Sequence, residues 1–146
     1  MVYKSDSRAV SDLKAHLVLT TKYRRKVITA PMLYRLNEIF EELCRKWGCE
    51  IVEFNGESDH VHLLFSFYPQ MQLSKFVNNL KTVSSIYIRK EFVTEVQQFY
   101  SKPVFWHSAY FIASCGGVTV EELKRYVQQQ DLPVSNNDSV LDSSRP

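Results

Sequence analysis

Apolar positions along the chain follow two periods, and the changes of period mark the elements. Leu13 to Thr21 (LKAHLVLTT) is apolar and β-branched without Gly or Pro, which predicts a strand. From Pro31 to Trp47 the period becomes helical: Leu33, Leu36, Ile39, Phe40, Leu43 and Trp47 recur on one face. Pro31 suits a first helical turn and Gly48 can end the helix. Glu50–Phe54 predicts a second strand, Asn55-Gly56 a turn whose loop runs to about Asp59, and His60–Phe67 a third strand closing a hairpin. Pro69 breaks the chain. A second helix is predicted from Leu73 to roughly Phe92, with Leu73, Phe76, Val77, Leu80, Val83 and Tyr87 as its apolar face.

Residues 97–103 read as connecting loop and Val104–Ser114 (VFWHSAYFIAS) as a fourth strand. Gly116-Gly117 interrupts it. Thr119-Val120-Glu121-Glu122 is a capping-box pattern opening a last helix to about Gln130, stopped by Leu132-Pro133. The order β-α-β-β-α-β followed by one helix predicts an α+β, ferredoxin-like fold: an antiparallel sheet with helices on one face. One domain is expected over 1–132. Residues 133–146, rich in Ser, Asn and Asp, are expected to form a disordered tail. Many functions share this fold, so the side chains must decide between them.

Composition narrows the classes. In 146 residues, 45% are hydrophobic, which is enough for a core, and no apolar run approaches bilayer length. Met1–Ser11 is polar and lacks a signal-peptide core, so a cytoplasmic protein with no membrane partner is expected. Cys44, Cys49 and Cys115 match no zinc or redox spacing and read as reduced thiols. The net charge of +2 is unevenly placed. The segment from Asp131 onward carries −2, which leaves +4 on the remainder. Bases cluster at Lys22, Arg24, Arg25 and Lys26, and again at Lys75, Lys81, Arg89 and Lys90, near Tyr23, Tyr34, Tyr87 and Trp106. Cations beside aromatic rings suit a single-stranded nucleic acid, since phosphates need charge and unpaired bases need stacking surfaces. Charge alone fits solvated helix faces as well.

His60-Val61-His62 lies on a predicted strand, so the two imidazoles share a face and can serve as adjacent ligands of one metal ion. Val61 and Leu63 would then face the core, and Asp59 is placed to orient a ligand. Two exposed histidines on a half-buried sheet would give the same pattern. Tyr126 and Gln130 are four residues apart on a predicted helix and share its face. A lone pair of that kind is more often ordinary helix surface. A tyrosine hydroxyl needs a polarised target to attack phosphorus, since its pKa is about 10.

Taken together, four segments resemble the small single-domain tyrosine transposases of the HUH superfamily, the TnpA-like enzymes of minimal single-strand insertion sequences. They are HLVLTTKYRRKV, SDHVHLLF, SSIYIRKEF and YFIASCGGVTVEELKRYVQQQ, in that order between about Leu13 and Gln130. The resemblance implies a DNA transposase that cleaves and rejoins single-stranded DNA at hairpin-bearing ends. It implies Tyr126 as nucleophile, and His60, His62 and Gln130 as ligands of Mg²⁺ or Mn²⁺. It implies a 5′-phosphotyrosine intermediate and a homodimer whose active sites are shared between subunits. Lys22, Arg24, Arg25 and Lys26 become candidate phosphate contacts, and Gly116-Gly117 a place where the tyrosine helix changes direction. His16 on the first strand is read as a core histidine, His107 as exposed or near DNA, and Cys115 as packing. Three other readings stay open: a domesticated tyrosine nuclease acting on repeated palindromes, a non-catalytic module like the RNA-recognition domains, and a phosphoesterase with histidine as nucleophile.

Overall fold

Six consecutive residues, Ala15 to Thr20, are buried, which is the pattern of a central strand covered on both sides. The computed structural model describes Lys4–Ser5, Val10–Ser11, residues 13–114, Arg125 and Gln128. Strands β1 (Lys4–Ser5) and β2 (Val10–Ser11) form a short antiparallel ribbon. The main sheet contains β3 (Leu13–Thr20), β4 (Glu50–Glu57), β5 (His60–Phe67) and β6 (Phe111–Ser114) in the order β4-β5-β3-β6, every neighbour antiparallel. Helix α1 (Ala30–Trp47) links β3 to β4; α2 (Leu73–Glu91) and the short α3 (Val93–Gln97) precede β6. The architecture is the expected α+β, ferredoxin-like arrangement. No helix among the described residues is long and apolar enough to cross a membrane.

Both long helices cover one side of the sheet. Thr29 caps α1 by accepting a hydrogen bond from the Met32 amide at 3.3 Å, Pro31 sits in the first turn, and Gly48 ends the helix at φ 77°. The buried stripe Met32, Leu36, Ile39, Phe40 and Leu43 then meets Leu17, Leu19, Leu63 and Phe65 of the sheet in one core. Helix α2 adds Phe76, Val77, Leu80 and Ile88. Edge-on and tilted ring contacts join the layers: Phe40 with Phe54 at 5.7 Å, Trp47 with Phe76 at 5.5 Å and Phe65 with Phe76 at 5.1 Å. Trp47 Nε1 donates to Asn79 Oδ1 at 3.2 Å and ties the helices to each other. Cys44 and Cys49 are buried in this core.

Several elements differ from the sequence expectation. Asn55-Gly56 is no turn: β4 runs through it to Glu57, and the chain reverses at Ser58-Asp59. Gly56 is needed for space. A Cβ there would meet Leu33 Cδ2 at 2.6 Å and Val61 Cγ1 at 2.9 Å, so α1 lies too close for a side chain. The expected fourth strand, Val104–Ser114, is reduced to Phe111–Ser114 with single bridge positions at Trp106, which pairs with Thr21, and at Tyr110. Its first half is held by other bonds. Trp106 Nε1 donates to Ser84 Oγ at 2.9 Å, and the His107 amide donates to Thr20 O at 2.8 Å. The Ala109 amide donates to His107 Nδ1 at 3.0 Å in a local turn. Helix α3 and the β1–β2 ribbon were not expected. Of the last predicted helix, Arg125 and Gln128 are helical and exposed. Cys115, Gly116-Gly117, Tyr126, Gln130 and the 133–146 tail lie outside the described residues.

Strand propensity alone favours Ala over Gly by about 0.5–1 kcal/mol. Gly56→Ala is nonetheless expected to destabilise the protein by about 1–3 kcal/mol through overpacking against Leu33 and Val61. Urea unfolding checks this; an unchanged or raised midpoint would mean that α1 shifts aside without cost.

Candidate active site

The site face of the sheet is the one turned away from the helices. On β5, Val61, Leu63 and Phe65 enter the core, so His60, His62, Leu64 and Ser66 take the other face. The register supplies their neighbours. His60 pairs with Thr20 and Glu57, and His62 with Val18 and Asn55. A one-residue register shift between Ile51 and Glu53 decides which β4 residues join them. Ile51 pairs with the core residue Phe65, and after the shift Phe54 pairs with Leu63. The bulge thus keeps Phe54 and Gly56 under α1 and puts Glu53, Asn55 and Glu57 beside the histidines.

His60 is 2% exposed and lies next to a carboxylate. Its Nδ1 is 2.9 Å from Asp59 Oδ1, and the other carboxylate oxygen, Oδ2, accepts from Arg24 Nη2 at 3.2 Å. An ionised carboxylate only accepts, so Nδ1 is the donor, and in the neutral ring the lone pair is then on Nε2. Burial works against ionisation of Asp59. The hydrogen bond from His60 and the charge of Arg24 outweigh it and hold the carboxyl below its ordinary value. An imidazole whose Nδ1–H is fixed by a carboxylate is a common arrangement of a metal ligand, and His62 lies beside it on the same rigid face. The residues present therefore fit a divalent ion that accepts imidazole. Among the described residues no group of three or more His, Cys, Asp or Glu could hold a metal ion. Alone, the two histidines would supply only part of a coordination shell.

The basic turn follows β3 directly. Lys22–Arg24 forms a 3-10 turn, with Tyr23 at φ 58° and Arg24 at φ 55°, both left-handed. Its hydrogen bonds hold this unusual backbone. The Thr21 amide donates to Asp59 O at 3.0 Å, Thr21 Oγ1 to Arg25 O at 2.6 Å, the Lys22 amide to Phe105 O at 2.8 Å and Tyr100 Oη to Lys22 O at 2.6 Å. The Tyr23 ring is 69% exposed, with Lys22 Nζ at 5.5 Å and the Arg25 guanidinium at 6.0 Å from its centre. Arg25 and Lys26 are exposed, whereas the Arg24 side chain turns toward Asp59 and keeps 25% of its surface.

Two features escaped the sequence. The Arg24–Asp59 pair spans 35 positions, and no local pattern signals it. Lys81 looked like one base on a helix face. It is half-buried, donates to Ser108 O at 2.8 Å and lies 5.6 Å from the centre of the Tyr110 ring. Burial, reinforced by the nearby Lys22 charge, lowers its pKa to about 8. His16 is buried at 2%, as a core histidine would be, but on the same sheet face as His60 and His62. His107 is half-buried, its ring engaged by the Ala109 amide.

This geometry can be set beside known proteins. The sequence profile of the family described as "Transposase IS200 like" matches residues 9–130. The ISDra2 transposase TnpA of Deinococcus radiodurans is 28% identical over 123 residues, covering 83% of this chain and 86% of that protein. The transposase for insertion sequence element IS200 of Salmonella typhimurium is 28% identical over 117 residues, covering 80% and 76%. Among solved structures, a Deinococcus radiodurans protein described as a transposase superposes with a TM-score of 0.75 at 27% identity, over 87% of this chain and 97% of its own. A REP-associated tyrosine transposase bound to a REP hairpin superposes with a TM-score of 0.51 at 11% identity, over 85% and 68%. At that identity the likeness shows the fold alone.

The lowered Lys81 pKa has a signed consequence. Unfolded, the ammonium would titrate at its ordinary value of 10.5; folded, it releases its proton near 8. Between these values the unfolded chain binds more protons, so this group makes stability rise as pH climbs through about 8 toward 10.5. Thermal unfolding midpoints of the native chain and Lys81→Gln, measured from pH 7 to 10, should differ by a term that grows in favour of the native chain. Parallel curves would contradict the burial of a charged Lys81.

Proposed function

We propose that this chain, which belongs to the IS200-like transposase family, cleaves and rejoins single-stranded DNA at hairpin-bearing ends, with Tyr126 as nucleophile. One observation carries the reading beyond family membership. His60 and His62 lie side by side on one face of β5, and Asp59 engages His60 through Nδ1 rather than Nε2.

In this reading His60, His62 and Gln130 hold Mg²⁺ or Mn²⁺. Bound there, such an ion supplies Lewis-acid stabilisation of the charge developing on the scissile phosphate. The protein's part is to place groups. Lys22, Arg25 and Lys26 attract the phosphates on either side of the reacting one, and the exposed Tyr23 ring offers a surface to an unpaired base. Tyr126 Oη forms a bond to phosphorus while the bond from phosphorus to the 3′ oxygen breaks. The phenolic proton is balanced by the one taken up at the new 3′-OH. A second 3′-OH later reverses the step, joins new ends and restores the tyrosine. Bond energy is kept in the phosphotyrosine link, so joining needs no nucleotide triphosphate. The reading includes a homodimer in which the tyrosine of one subunit serves the histidines of the other.

The test uses a labelled single strand carrying a hairpin, incubated with the protein and Mg²⁺. A covalent protein–DNA adduct should form and map to Tyr126. Tyr126→Phe should abolish it while leaving DNA binding unchanged. An adduct on another tyrosine, such as Tyr110, or cleavage without any adduct, would overturn the assignment.

A further inference from the structure

We propose that Arg24 is a positioning residue for His60 and not a phosphate contact, although it sits inside the basic turn. The inference rests on the reading that His60 is a metal ligand.

Four bases within five residues, Lys22, Arg24, Arg25 and Lys26, look equivalent in the sequence. The backbone separates them. Left-handed conformations at Tyr23 and Arg24 reverse the chain within one turn. Arg24 is carried back toward the β4–β5 turn, where Nη2 meets Asp59 Oδ2 at 3.2 Å. Its side chain is 25% exposed, that of Asp59 14% and that of His60 2%, so the three groups run from the surface inward. Each oxygen of Asp59 has its own partner: Oδ1 the imidazole, Oδ2 the guanidinium. A carboxylate held at both ends cannot rotate away from the ring. The ring is then fixed in one orientation and one tautomer, with Nδ1 protonated.

Backbone bonds make this a rigid unit. The Thr21 amide and hydroxyl both reach Asp59 O, at 3.0 and 3.3 Å, and the Ile28 amide reaches Ser58 O at 2.9 Å. The turn that carries Lys22, Arg25 and Lys26 is therefore clamped to the turn that carries Asp59. DNA seated on the first turn is registered against the histidines of the second through a path three side chains long. Two non-glycine residues in left-handed backbone gain a purpose in this account: they aim Arg24 inward and leave its neighbours outward.

Three measurements on Arg24→Gln, with Arg24→Lys as the conservative variant, test this. Nitrogen-15 NMR of the metal-free native protein should show His60 as the single Nδ1–H tautomer. In Arg24→Gln the same ring should show mixed tautomers, and Arg24→Lys should restore the native pattern in part. The affinity for Mn²⁺, read by electron paramagnetic resonance, should fall about 10-fold or more in Arg24→Gln, the size expected when a ligand's partner is lost. The salt dependence of single-strand binding should stay as steep as in the native protein. In Arg25→Gln it should become shallower by about 0.7, one phosphate contact. An intact tautomer and Mn²⁺ affinity together with a shallower slope in Arg24→Gln would overturn the proposal and make Arg24 a phosphate contact. Failure of the native protein to bind Mn²⁺ at the histidines would instead overturn the metal reading. The tautomer would still report whether Arg24 holds the ring.

Discussion

The structure depends on the register between β5 and its two neighbours. Side chains along a strand alternate strictly, so a slip of one residue would exchange the faces of the whole strand. Val61, Leu63 and Phe65 would leave the core, and His60 and His62 would enter it. The pairing from Leu13 with Phe67 to Thr20 with His60 forbids this, because burial of Leu17, Leu19, Leu63 and Phe65 on one side has no substitute. The same register that builds the core therefore presents two imidazoles together on the opposite face. The bulge in β4 solves the matching problem on the other side of β5. It lets Ile51 and Phe54 both reach the core, although they are three residues apart on an alternating strand.

Electrostatics follows from that frame. The core is apolar, and the charges of the site collect where β3 and β4 end and β5 begins. Asp59 lies between a cationic turn and a histidine, and both neighbours keep it ionised despite its burial. On the other side of the turn, Lys81 and Lys22 are close enough to repel each other. A surface arranged this way favours an incoming polyanion, whose phosphates relieve repulsion already present in the folded chain. The affinity for such a partner is expected to depend strongly on salt.

Much of this was legible in the sequence because it is local. Strand β5 was predicted with its observed ends, and α1 and α2 to within a residue, since periodicity and caps such as Pro31 and Gly48 are written into neighbouring positions. The shared face of His60 and His62 follows from alternation alone. Features set by distant contacts were not legible. Asn55-Gly56 has the composition of a turn, but the glycine answers to Leu33 on α1. Residues 104–110 have strand-like side chains, but Trp106 is claimed by Ser84 on α2 and the His107 amide by the end of β3. The cluster of four bases gave no sign that one of them faces inward. The family resemblance reached Tyr126 and Gln130, which lie outside the described residues.

The central claim is that the sheet face opposite the helices is a metal centre built on His60 and His62. Paramagnetic mapping tests it without substrate. As Mn²⁺ is added to the isotope-labelled protein, ring signals of His60 and His62 should broaden first, before the methyl signals of Leu36 and Leu80 buried beneath the helices. His62→Ala should remove the early broadening at His60. Broadening centred elsewhere, or unchanged in His62→Ala, would contradict the account.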